Sequence, residues 1–415
     1  MNCNSDTNNH YIMKNQKILI TCMQIWETEI GTTIRNMALE ISNQNKVLYV
    51  NTPIDHSTWL RRKSLPASDR RMEVINKKRP PLRQIKENLW VLDFPFMVYS
   101  INKIPFNFLF DFFNKINNRK IAKFIEKQLK ILNFDNYINF IDNDIYRSLY
   151  MKDFLSARLS IYYRRDYVIG QAYWKRHGTR LEPEIIAKSD LAMANSTLFC
   201  EEIGVYNPNT FLLETGVNLE LYDARKDYQI PIDLKAIPRP IIGYVGSIDS
   251  TRLDEDLMCQ MAEKRPEYSY VFTGPEDDLF RTSRLHEMKN VFFTGSRKLD
   301  ELPIYISAFD VCLNPQKVNK ITLGNYPLKI DEYLALGKPV VATNTHIMNE
   351  VFKEQVHLAE TVEENLKAID QAVTEFENEI LRNQRIQFAH THSWASRINQ
   401  MYRIIEEFEA KQKIS

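Results

Sequence analysis

The chain has 415 residues, too many for one ordinary core and enough for two or three domains of roughly 100–200 residues. Its 44% hydrophobic and 26% charged residues exclude an extended disordered chain, and a net charge of +1 argues against a dedicated nucleic-acid binder. That near-neutral total conceals a split, +7 over residues 1–225 and −6 over residues 226–415. The five cysteines, Cys3, Cys22, Cys200, Cys259 and Cys312, are scattered without metal-ligand spacing, as expected of reduced thiols in a cytoplasmic protein. Residues 1–16 are polar, unlike a signal peptide, and no apolar run reaches the roughly 18 residues of a spanning helix.

Taken in order, the elements read strand, turn, helix, repeated. Lys17–Thr21 is a short apolar strand, followed by a loop with Gly31 and a helix with Ile34, Met37, Ala38 and Ile41 on one face. Further strands are expected at Lys46–Asn51, Leu89–Asp93, Tyr137–Ile141, Leu159–Tyr163, Leu191–Ala194 and Thr210–Leu213, with a helix near 116–131. Such alternation predicts parallel βαβ units. A polar, proline-bearing stretch, Tyr222–Pro240, then separates a second series. In that series Gly246, Gly274 and Gly295 each follow a predicted strand. The carboxyl ends of strands are where open α/β sheets bind ligands, although glycines also simply make βα turns. Trp394–Lys413 reads as one amphipathic helix with Ile398, Met401, Tyr402, Ile405 and Phe408 on its apolar face.

Leu323–Thr343, LGNYPLKIDEYLALGKPVVAT, is the most informative segment. Pro327 suits the first position of a helix and Gly337 the position just past its end. Asp331 and Glu332 complement the positive end of the helix dipole, whereas Lys329 does not. A phosphate at the helix N-terminus would explain Lys329, and so would a Lys329–Glu332 pair on an exposed face. The helix alone does not choose between them.

Pro327-Leu-Lys-Ile-Asp-Glu332-Tyr-Leu-Ala335, followed by Gly337-Lys-Pro-Val-Val341, resembles the donor-site helix of the glycogen-synthase-like, mostly retaining GT-B glycosyltransferases. It is most similar to the bacterial group 1, teichuronic-acid type. Ile241-Ile-Gly-Tyr-Val-Gly-Ser247 resembles that family's second-domain strand and phosphate loop, and Phe293-Thr-Gly-Ser-Arg297 its base-flanking segment. Thr215-Gly-Val-Asn218 and His392-Ser-Trp394 resemble the segments that close the first domain and open the crossover helix.

The resemblance implies two Rossmann-like domains facing across a cleft, residues 1–225 and 226–393, with helix 394–415 crossing back to the first. It also implies retaining, metal-independent transfer of a hexosyl group from a nucleoside-diphosphate sugar, with no cofactor, to a carbohydrate or lipid-linked acceptor in cell-surface polysaccharide or glycolipid synthesis. Glu332 would hold the ribose hydroxyls and Lys329 the diphosphate. Gly31, Gly246, Ser247, Gly274, Ser296, Arg297, Tyr326, Pro327 and Leu328 would complete the donor site. Two departures stand out: Gly324 replaces an acid often found eight residues before the glutamate, and residues 247–252 offer only Arg252 where a basic pair is usual. A non-catalytic sugar-nucleotide-binding subunit and a nucleotide-sugar epimerase are the alternative readings.

In the first half, Tyr162-Tyr-Arg-Arg-Asp-Tyr167 ends a strand. Asp166 there would orient or deprotonate an acceptor hydroxyl, or simply pair with Arg164 or Arg165. His177 reads as a solvent-exposed loop residue, and Glu182 and Glu184 as the first turn of a helix. Ten Lys/Arg fall within 61–86, ahead of Phe94, Phe96, Tyr99, Phe106, Phe108, Phe110, Phe112 and Phe113. Cations beside aromatic residues over 61–113 suit peripheral contact with an anionic membrane at its inner face. A basic loop leading into a core helix is the plainer reading.

Overall fold

The computed structural model describes residues 13–28, 32–61 and 69–414. Two compact units form, one from Met1–Glu214 with Arg397–Ser415, the other from Thr215–Ser396.

The first unit is built on an eight-stranded sheet. Its strands are β1 (Lys17–Cys22), β2 (Lys46–Val50), β3 (Leu82–Lys86), β4 (Leu89–Leu92), β5 (Ile138–Asp142), β6 (Leu159–Arg164), β7 (Leu191–Ala194) and β8 (Thr210–Leu212). They lie in the order β3-β4-β2-β1-β5-β6-β7-β8. All neighbours are parallel except β3 and β4. Central strands such as β5 and β6 are buried along their whole length, as a sheet covered on both faces requires. The sequence reading omits β3: LRQIK is a half-exposed edge strand whose pairing depends on a tight return into β4.

The second unit has β9 (Ile241–Val245), β10 (Ser269–Thr273), β11 (Val291–Gly295), β12 (Val311–Asn314), β13 (Val340–Thr343) and β14 (His357–Ala359). These are all parallel, in the order β11-β10-β9-β12-β13-β14. The two units meet along the chain at Glu214–Thr215, earlier than residue 225. Polarity locates the boundary late because Val217, Tyr222 and Leu234 are sparse apolar residues in a polar stretch, yet all three are buried in the second unit's core.

The last helix, Trp394–Ile414, joins the first unit from Arg397 onward. Ile398, Met401, Tyr402 and Ile405 are buried, the Tyr402 hydroxyl accepts a 2.6 Å bond from Asn45, and Arg397 pairs with Glu214 at 2.8 Å.

Two local expectations are corrected. His177 is buried in the middle of the helix Ala172–Lys188, not on an exposed loop. Its ring stacks on Phe110 at 3.9 Å and Nε2 lies 2.8 Å from the Ile104 carbonyl. The polar run KRHGTR hides this because only every third or fourth side chain faces the core. Glu182 and Glu184 lie near the end of that helix rather than its start. Buried Glu182 accepts the Tyr162 hydroxyl at 3.0 Å. The helix expected near 116–131 begins earlier, at Asn107, and runs to Ile131.

Candidate functional site

The site grows from the end of β9. At Gly246 the backbone adopts φ +139°, open to glycine. A Cβ built on Gly246 would lie 2.8 Å from the Lys329 Nζ, and one on Gly274 only 1.9 Å from the Gly246 carbonyl oxygen. These two glycines let the chain after β9 lie against both a lysine and the chain after β10. Gly295 differs: its φ of +73° needs glycine, but a Cβ there would meet nothing, so it serves the turn alone. The loop that follows is fastened from outside. Asp277 accepts the Ser250 amide at 2.8 Å. Lys317 donates to the Ser250 carbonyl at 2.8 Å, and Asn319 to that of Thr251 at 2.9 Å.

The helix Leu328–Ala335 points its start at this loop. Pro327 is its capping residue rather than its first turn, and no side chain caps its start, where the Leu328 and Ile330 amides donate to the Tyr326 and Pro327 carbonyls at 3.1 and 2.9 Å. Lys329 sits 3.9 Å above the Tyr244 ring. Its amine donates to the Tyr244 hydroxyl, which in turn donates to the Ser247 carbonyl at 2.9 Å. Burial, and then Arg252, lower the Lys329 pKa to about 7. One turn on, burial raises Glu332 to about 7 despite the Tyr222 hydroxyl and Lys329, which both favour its charged form. A cation and a carboxylate held near the midpoint of titration are marks of a functional site.

Other predicted residues divide. Ser247 and Ser296 are exposed, and Leu328 is partly buried. Arg297 is already engaged by Asp233 at 2.7 Å and by the Tyr305 hydroxyl. Asp166 is paired with Arg165 at 2.7 Å, while Arg165 also holds buried Asp142 at 2.7 Å. Gly31 lies outside the described residues. Tyr326 turns inward: its hydroxyl donates to Asp331 at 2.6 Å and lies 3.2 Å from His392 Nδ1, which is 2.8 Å from the other Asp331 oxygen. The expectation that Tyr326 lines the donor pocket is therefore corrected, since its polar end is consumed by this buried cluster. Asp331, read as a dipole-facing acid, is fully buried there. Tyr326→Phe is expected to lower thermal stability by about 1–2 kcal/mol while leaving nucleotide affinity within about twofold, measured by calorimetry on one preparation.

Sequence reasoning missed Tyr222 and Tyr244. Tyr222 stood at the start of an apparent linker, and Tyr244 looked like an ordinary strand residue. The only available signal for Tyr244 was its position two residues before Gly246.

The two units, each built on a parallel α/β sheet, have the GT-B fold. Residues 239–381 match the family described as glycosyl transferases group 1. Among curated relatives, the putative teichuronic acid biosynthesis glycosyltransferase TuaH of Bacillus subtilis strain 168 is 26% identical over 245 residues. The match covers 56% of this chain and 59% of that relative. Sucrose-phosphate synthase from Thermosynechococcus elongatus has a similar structure, with a TM-score of 0.66 and 17% identity over 96% of this chain and all of that one. Anabaena HepE, solved with UDP and glucose, gives 0.61 and 15% over 95% of this chain and all of its own.

Proposed function

We propose that the protein transfers a hexosyl group from a nucleoside-diphosphate sugar to an acceptor hydroxyl in cell-surface polysaccharide or glycolipid synthesis, with retention and without a metal ion. The observation that carries this reading is Lys329, which no carboxylate among the described residues pairs with, placed by Tyr244 against Gly246 at a helix start without a side-chain cap. That arrangement suits a departing diphosphate: helix N–H groups and one ammonium supply positive charge where negative charge develops. Glu332 beside Tyr222 suits ribose hydroxyls. Relatives named for teichuronic acid synthesis and bound to UDP and glucose support the substrate class. Lys329 and the helix start can stand in for a metal on this scheme, and Gly324 removes one acid from the sugar side, so positioning would carry more of the catalysis.

The test is nucleotide binding and transfer with UDP-, GDP- and dTDP-sugars. Glu332→Ala is expected to weaken nucleotide binding by about tenfold or more. Unchanged affinity would remove the donor assignment, and tight binding with neither hydrolysis nor transfer would favour a non-catalytic subunit.

For membrane contact, the described cations are mostly engaged within the protein: Arg70 with Asp93, Arg71 with Asp69, Arg79 with Glu73 and Arg83 with Glu27. Arg62 and Lys63 lie outside the described residues. Phe94 and Phe110 are core residues, whereas Tyr99, Phe106, Phe108 and Phe112 are exposed. This favours peripheral contact through aromatic side chains more than through charge. Among the described residues no helix is long and apolar enough to cross a membrane.

A further inference from the structure

The start of the helix Asn107–Ile131 leaves a group of aromatic side chains uncovered. Phe106, Phe108 and Phe112 are 59%, 70% and 60% exposed, and Tyr99 beside them is 47% exposed. Ring contacts join the group: Phe106 lies 6.1 Å from Phe108, and Phe113 lies 5.3 Å from Phe112 and 5.1 Å from Tyr99. Phe108, Phe112 and the exposed Ile116 recur every fourth residue and share one face of the helix. A lone exposed apolar residue is ordinary, whereas a joined group of them marks an interaction surface.

Packing beneath fixes the group in place. Phe110, between Phe108 and Phe112, is fully buried and stacks at 3.9 Å on His177, whose Nε2 lies 2.8 Å from the Ile104 carbonyl. Arg180 pairs with Asp111 at 2.7 Å, and Asn117 bonds the Tyr99 amide and carbonyl at 2.9 and 3.0 Å. The chain over 99–117 is thus anchored from inside, and the outward rings have no core position to fall back into.

Charge then selects the partner. The helix carries six Lys/Arg against two acids, and both acids are engaged, Asp111 by Arg180 and Glu126 by Lys130 at 2.8 Å. Lys103, ahead of the phenylalanines, and Lys115, Arg119, Lys123 and Lys127, beyond them, are exposed. Lys115 and Arg119 lie over the rings of Tyr150 and Phe154 at 5.7 and 5.3 Å, contacts that leave their charges unneutralised. They stand about 5 and 10 Å along the helix from Phe112, within roughly one Debye length of a surface that the ring enters. Rings able to leave water, with cations one and two turns behind them, match acyl chains under a layer of anionic phosphates.

We infer that the first unit docks on an anionic lipid bilayer through the start of this helix, with Phe106, Phe108 and Phe112 entering the interface and Lys115 and Arg119 facing lipid phosphates. The inference rests on the peripheral contact proposed above and relocates it. It leaves the basic run of 61–86, where Arg70, Arg71, Arg79 and Arg83 are paired within the fold, for residues 106–119. A lipid-linked acceptor would be met at that interface.

The test is flotation of the full chain with vesicles containing phosphatidylglycerol and with vesicles of phosphatidylcholine alone. Binding is expected on the first, weakened about thirtyfold or more by Phe108→Ser with Phe112→Ser and about fivefold by Lys115→Gln. High salt should weaken it less than the loss of the two rings does. Both serine positions are exposed, so melting temperature and nucleotide affinity should hold, which separates lost docking from lost folding or a lost donor site. Phe108→Trp should keep binding, and brominated acyl chains should quench the added fluorescence. Equal binding to phosphatidylcholine vesicles would overturn the inference. So would dimers that the two serines abolish in a chain that ignores vesicles, a result that assigns the face to a second copy. No binding to either vesicle would overturn the peripheral contact as well. Binding that survives the serines and falls when the cations of 61–86 are replaced overturns this surface alone and leaves peripheral contact standing elsewhere.

Discussion

Lys329→Ala is expected to lower glycosyl transfer by about 10²–10³-fold, the usual effect of removing one charge-stabilising donor from a reacting centre. The amine lies over the Tyr244 ring at 3.9 Å and against Gly246, where a leaving diphosphate would meet both it and the positive end of the helix. Steady-state kinetics on the variant check this, and a loss under threefold would move the diphosphate elsewhere. Lys329→Arg should rescue poorly, because a planar guanidinium does not reproduce the point charge that the amine places over the Tyr244 ring.

The same two residues set a pH dependence. Burial holds Lys329 down to about 7 and Glu332 up to about 7. A diphosphate binds the ammonium, so affinity falls as pH rises through 7 and the proton leaves. Ribose hydroxyls favour the carboxylate, so affinity also falls as pH drops and Glu332 takes a proton. Nucleotide affinity should therefore be bell-shaped with its maximum near 7, the two limbs belonging to the coupled pair. Lys329→Ala should remove the alkaline limb and Glu332→Gln the acid limb.

The second large effect concerns stability. Asp331→Ala is expected to destabilise the second unit by about 3 kcal/mol or more, because it strands the buried Tyr326 hydroxyl and His392 ring that now hold its two oxygens at 2.6 and 2.8 Å. The His392 carbonyl also accepts from the Val217 amide at 2.9 Å. This cluster thus ties the donor helix to both ends of the second unit's chain. Calorimetry should show the second unit melting early with the first unmoved. His392→Ala should act in the same direction, and the double variant should cost less than the two singles combined, since they share partners.

Much of this was legible in the residues. The parallel strands appear as apolar runs because both faces of each sheet are covered. The helix after Pro327 appears because proline and Gly337 mark its two ends, and its reading as a donor helix comes from the family resemblance. Edge strand β3 was illegible because its side chains are half exposed, and His177 because helical periodicity buries one polar residue in a charged run. Tyr326 and Asp331 were legible as members of the segment but not in their direction, since the backbone turn at Pro327 decides which faces inward.

By itself, then, the sequence determined the two-part α/β architecture and the charge split of +7 and −6. Those depend on local periodicity and composition, which need no partner to be read. Only tertiary structure decided that Tyr244 carries Lys329, that Arg70 meets Asp93 and that Arg83 meets Glu27. Each is a contact between residues far apart in the chain, and burial of a charge or an amide acquires its energetic meaning only once those distant neighbours are in place.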